Sequence, residues 1–180
     1  MSDALDLGAR SKQNPIVRPA LERDAGTLFS MTAALIEDHL PGQKPWTSAE
    51  QIRLNGFGPY PLFEAYIAER AEQPVGFVSF FRGYAGWRGK PIGIVHALYV
   101  IPPERRSGAA RRLMSAVART ALEREWERIE LFVEEGRPAL RFYETIGMRD
   151  LSHRHLRLEG EALQGLAAEV HSAQNWDEAH

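Results

Sequence analysis

Apolar and polar positions along this chain follow two periods, and the switches between them mark its elements. Ile16-Val17-Arg18-Pro19 reads as a short strand closed by a proline, which has no N–H for a ladder. From Ala25 the period lengthens: Ala25, Leu28, Phe29, Thr32, Leu35 and Ile36 share one helical face, with Asp24 as N-cap and His39-Leu40-Pro41-Gly42 as the stop. Thr47-Ser48-Ala49-Glu50 has the form of a capping box and opens a second helix to about Asn55. Phe63 to Glu69 and Val75 to Phe81 predict two strands joined by the polar loop 70–74, and Gly83 to Pro91 predicts a turn-rich loop. Ile94 to Val100 is a continuous apolar run, the pattern of a buried strand, and Pro102 and Pro103 end it. Ala110, Leu113, Met114, Val117, Ala118 and Ala121 then predict a helix running to about Glu125.

Ile129 to Val133 predicts a further short strand, left through the loop 134–137. Pro138 suits the first position of the next helix, whose inward face is Ala139, Phe142, Tyr143 and Ile146, with Gly147 as its C-terminal cap. Leu151 to Leu158 alternates and predicts a last strand, and Glu161 to about Val170 a closing helix. The sum is an α/β chain with a mixed, mostly antiparallel central sheet flanked by helices on both faces.

Composition narrows the setting. With 180 residues, 44% apolar and 26% charged, the expectation is one globular domain over 15–170, between a flexible arm (1–14) and a polar tail (171–180). A net charge of −2 gives no field favouring nucleic acid or an anionic membrane, so neither partner is expected. No apolar run approaches the ~20 residues of a membrane span. The first residues lack the charged-then-apolar plan of a signal peptide, and the cytoplasm is the expected location. The absence of cysteine excludes disulfides, thiol nucleophiles and cysteine-based metal sites.

The candidate chemistry gathers at the end of the central strand. After the prolines come Arg105, Arg106, Ser107 and Gly108, and then the helix begun by Ala109 and Ala110. A strand feeding a small basic turn that opens a helix makes an anion cradle, because first-turn N–H groups lack intrahelical partners and sit at the positive dipole end. Gly108 lets a ligand come close to the backbone, and Ala110 keeps the second approach point small.

Written as Arg-x-x-Gly-x-Ala, residues 105–110 resemble the pyrophosphate-binding motif of the Gcn5-related N-acetyltransferase (GNAT) superfamily, and the element order matches its fold. Phe57-Gly58-x-x-Pro61-Leu62-Phe63-Glu64, Pro74-Val75-Gly76-Phe77, Tyr84-x-x-Trp87-x-Gly89 and Phe142-Tyr143-Glu144-x-x-Gly147 are similar to its diamine (spermidine/spermine and thialysine) branch. Where that branch carries adjacent acids on the central strand this chain has His96-Ala97, and in place of Asp-Trp-Asn before the last motif it has Glu134-Glu135-Gly136. The cofactor half looks kept and the acceptor half rewritten.

The resemblance implies acetyl-CoA as co-substrate and an N-acetyltransferase transferring acetyl directly to a primary amine of a small molecule in a ternary complex. It also implies a homodimer, in which a strand near 151–158 could pair across a two-fold axis. Such transfer needs a neutral amine, a donor for the acyl oxygen and a proton for the leaving thiolate. An alkylamine with a pKa near 10.4 offers only about one neutral molecule in 10³ at neutral pH. By resemblance Tyr143 is the acid for the thiolate; the alternative is a plain aromatic on an amphipathic helix. His96 is a candidate general base or a packing histidine. Leu98, Tyr99 and Val100 would act through backbone groups where the sheet is expected to splay. Arg106, Arg111 and Arg112 would touch phosphates or water.

Glu134 and Glu135 would hold a cationic acceptor or be solvated, and Trp87 with Tyr84 would wall the acceptor site or cover the core. His153 and His155 share a strand face but lack a third ligand at supporting spacing, so they read as a surface pair and no metal is expected. Two other readings remain: transfer to a protein N-terminus, lysine or antibiotic amine, or an acyl-CoA-binding module without turnover.

Overall fold

The computed structural model describes residues 14–152 and 155–174. Among these, five strands lie side by side in chain order: β1 (Ile16–Pro19), β2 (Glu64–Arg70), β3 (Gln73–Ala85), β4 (Lys90–Val100) and β5 (Ile129–Leu131). The first four pair antiparallel and β5 joins β4 in parallel. The helices are α1 (Ala25–His39), α2 (Ala49–Phe57), α3 (Ala109–Glu123), α4 (Ala139–Thr145) and α5 (Gly160–Gln174).

Strand alternation divides the core into two layers. Ala65, Ile67, Phe77 and Tyr99 pack with Ala25, Leu28 and Met31 of α1 and Ile52 of α2. On the opposite face Tyr66 stacks on Phe80 with ring centroids 5.6 Å apart, and its hydroxyl is 2.7 Å from that of Thr120 on α3. Of the face read in α3, Leu113, Met114, Val117 and Ala121 are buried in that layer, whereas Ala110 is half-buried and Ala118 is exposed. No described helix is long and apolar enough to cross a membrane.

Several elements differ from expectation for local physical reasons. The loop at 83–91 is mostly ladder: β3 continues to Ala85, β4 begins at Lys90, and only 86–89 turn. Gly83 permits this, because a Cβ there would stand 2.7 Å from the Ile94 side chain across the ladder. Asp24 does not cap α1. Its carboxylate accepts two hydrogen bonds from Arg18 and one from the Leu21 N–H, closing a 3-10 turn before the helix. The cap of α2 is Ser48, whose hydroxyl accepts from Gln51 N at 3.1 Å, one residue on from the expected box.

The chain divides into two units, through Arg137 and from Pro138. In the second, α4 ends as expected, with Gly147 just beyond it at φ +91°. The strand expected at 151–158 is not formed by the described residues there. Asp150 accepts from the N–H of Ser152, which takes φ +52°, and this local turn competes with an extended ladder. Of the expected histidine pair, His153 lies outside the described residues.

Candidate active site

The site is built on a change of parity in β4. Ser79 pairs with Ala97 but Phe80 pairs with Val95, leaving His96 as the extra residue of a bulge. Before the bulge the odd-numbered residues turn their backbone toward β5, as Gly93 N does in donating to Arg128 O at 2.9 Å. After it the odd ones face β3, since Ile101 N donates to Val75 O at 3.0 Å. Alternation then turns the backbone of Leu98 and Val100 outward and that of Tyr99 inward to the ladder. The ladder to β5 ends at Val95 opposite Leu131, so from His96 onward no strand among the described residues covers this edge. Pairing to β5 therefore stops short of Leu98 and Val100, whose outward amides have no strand partner among the described residues. Tyr99 contributes its ring to the core beneath α1.

The open edge runs directly into the helix-opening turn. Pro102–Glu104 form one 3-10 turn, Arg106 takes φ +67° and Gly108 φ +88°, and α3 begins at Ala109. The first intrahelical bond is Arg112 N to Gly108 O, so the amides of 109–111 precede any α-helical partner. The first turn carries no acid, while Arg106 and Arg112 are exposed around it. Two details fit an anionic ligand here. A Cβ on Gly108 would meet nothing within 4 Å, so the backbone is open to close approach. The Ser107 hydroxyl is buried without a hydrogen-bond partner, and a buried hydroxyl left in that state is costly.

Arg105 is already engaged. Its Nε donates to Val100 O at 3.2 Å, its guanidinium lies 5.9 Å from the centre of the Tyr99 ring, and Nη2 pairs with the Asp38 carboxylate of α1. Burial pushes the Tyr99 phenol above its ordinary value; Asp38 adds to the shift and Arg105 opposes it.

The acceptor-side candidates scatter. His96 is exposed at the bulge. Glu134 is bound by Arg137, with Nε 2.8 Å and Nη2 2.7 Å from its carboxylate, while Glu135 is exposed. Trp87 is fully exposed at the β3–β4 tip and Tyr84 is 69% exposed, so neither covers the core. Tyr143, in the second unit, is half-buried with its ring 5.4 Å from that of Phe142, and burial raises its phenol above the ordinary value. Sequence reasoning missed Asp38 and Arg137. Arg137 also donates to His39 O at 3.4 Å, so both residues act at the end of α1. The Arg105–Asp38 pair and the Arg137–His39 contact span 67 and 98 residues, separations that leave no local signature, whereas Arg137 and Glu134 are only three apart.

Comparisons with known proteins give the family and the fold. A thialysine N-epsilon-acetyltransferase of Sus scrofa is 30% identical over 165 residues, covering 84% of this chain and 96% of the relative. An L-ornithine N5-acetyltransferase of Arabidopsis thaliana is 32% identical over 110 residues, covering 59% of this chain and 48% of that protein. In fold, the chain resembles an integron cassette protein from the mobile metagenome of V. cholerae, with a TM-score of 0.73 at 18% identity, covering 86% of this chain and 98% of that one. Residues 30–148 match the Acetyltransferase (GNAT) family. The chain belongs to that family, and it is an acyltransferase.

Proposed function

We propose that this acyltransferase takes its acetyl group from acetyl-CoA and passes it directly to the primary amine of a small molecule. The observation that carries the reading is the continuity of the outward amides of Leu98 and Val100 with the glycine turn at 106–108. Enzymes of this family use acetyl-CoA as co-substrate. Residues 105–110 would hold its phosphates, through the backbone of Ser107–Ala110 and the exposed Arg106. The outward groups of Leu98 and Val100 would hold the arm that follows. What acetyl-CoA supplies is an acetyl group activated as a thioester.

The chain's own groups meet the three needs of the transfer. An outward N–H of β4 donates to the acyl oxygen as that oxygen gains charge. His96 accepts the proton that the attacking amine must lose, at an imidazole nitrogen exposed beside the same edge. Tyr143, assigned by the family likeness, donates its hydroxyl proton to the departing sulfur; its raised pKa keeps that proton in place until it is needed. Glu134 is already paired with Arg137, so Glu135 is the exposed loop carboxylate offered to a cationic acceptor. The two curated relatives are named for thialysine and L-ornithine, both amino acids with a side-chain amine, which supports an acceptor of that size.

The test is thiol release from acetyl-CoA over a panel of polyamines, diamino acids, aminoglycosides and peptides. The reading expects release that depends on a small primary amine and falls in His96→Ala and Tyr143→Phe. Release only with peptides, or none with any amine, contradicts it.

A further inference from the structure

The strand-to-helix turn is tied down by residues distant in sequence. Glu104, in its first turn, accepts from Arg70 Nε at the end of β2 at 2.9 Å. Arg105, the next residue, reaches across to α1, where Asp38 is the last residue but one. An arginine with a half-exposed side chain ordinarily samples many rotamers. This one is fixed from three directions: by the Asp38 carboxylate, by the Val100 carbonyl and by the face of Tyr99. The Val100 contact is the significant one, because that carbonyl belongs to the outward edge of β4. Arg105 therefore clamps the edge strand to the turn, and Asp38 holds the clamp.

We propose that Asp38 is a positioning residue for coenzyme binding, holding Arg105 so that the β4 edge and the 106–108 turn keep the relative placement a pyrophosphate and its arm require. The inference rests on the reading of that turn given above. Asp38 touches no ligand in this account and acts through Arg105. The pair is partly exposed on both sides, and such pairs add little to fold stability. Its loss therefore shows in ligand affinity far more than in melting temperature.

The experiment is calorimetric titration of the full chain with coenzyme A, beside acetyl-CoA kinetics and thermal melting, for wild type, Asp38→Asn, Asp38→Glu and Gly108→Val. Asp38→Asn is expected to raise Kd about twofold to fivefold, the weight of one partly exposed ion pair. The KM for acetyl-CoA should follow Kd while kcat and the melting temperature stay near wild type, and Asp38→Glu should recover most of the affinity. If Gly108→Val abolishes binding but Asp38→Asn leaves Kd unchanged or tighter, the positioning role is overturned and the turn reading stands. If neither variant changes Kd, both fall. A drop in kcat and melting temperature together, without rescue by glutamate, assigns Asp38 to the fold alone and also overturns the proposal.

Discussion

Burial strips water from Tyr143 and pushes its phenol above the ordinary value, because the charged phenolate loses more from desolvation than the neutral form. If it protonates the leaving sulfur, Tyr143→Phe should lower kcat about a hundredfold while the KM for acetyl-CoA barely moves. Any alkaline decline of the wild-type rate due to this group should lie above the range of an ordinary phenol, because burial shifts its deprotonation upward, and it should vanish in Tyr143→Phe; kinetics over alkaline pH check both. At Gly108, φ +88° is the left-handed region, and a side chain there costs about 1–2 kcal/mol even with empty space around it. This turn was legible from sequence because its chemistry is local: prolines, arginines, a glycine and a helix start in nine consecutive residues. The parity change at His96 was not legible, since a bulge inside a continuous apolar run leaves the period unreadable. The Asp38–Arg105 pair depends on where α1 ends in space, and its spacing in the chain records nothing of that.

Arg18 joins three elements by binding Asp24 before α1 and Glu69 on β2, with contacts of 2.7–2.9 Å. Asp24 is only 6% exposed, and its pairing with Arg18 holds its carboxyl below the ordinary range against the opposing effect of burial. Asp24→Asn should cost about 2–3 kcal/mol at pH 7, because it leaves Arg18 partly buried and short of a partner. A lowered carboxylate pKa stabilises the fold above the unfolded value near 3.9 and loses that contribution as pH falls through the folded value. The gap in denaturant stability between wild type and Asp24→Asn should therefore close below about pH 4. Across the sheet, Gly93→Ala would push a Cβ to 2.8 Å from the Trp126 ring and should cost about 1–3 kcal/mol by overpacking, read from chemical denaturation. The elements most legible in the sequence are those where one face alone decides, such as α3. Asp24 was misread because its type suits a cap and an ion pair equally. The described residues of 151–158 form no strand, because a local turn at Ser152 competes with the alternation that suits one.

The unit through Arg137 is a sheet whose β4 edge is uncovered beyond Val95, and that edge runs into the glycine turn proposed to bind an anion. Layering and family are both consequences of pattern, and they were readable before any coordinates. On the proposed acceptor side stand an exposed imidazole on the bulge and a loop acid paired with Arg137. The central claim is that coenzyme A lies along the outward groups of Leu98 and Val100 and ends in the 106–110 turn. The most direct measurement follows backbone amide chemical shifts of the isotopically labelled protein during titration with coenzyme A. Saturable shifts should be largest at Leu98, Val100 and Ser107 to Arg111. Saturation that leaves these amides unmoved, with the shifts gathered on another surface, would contradict the account.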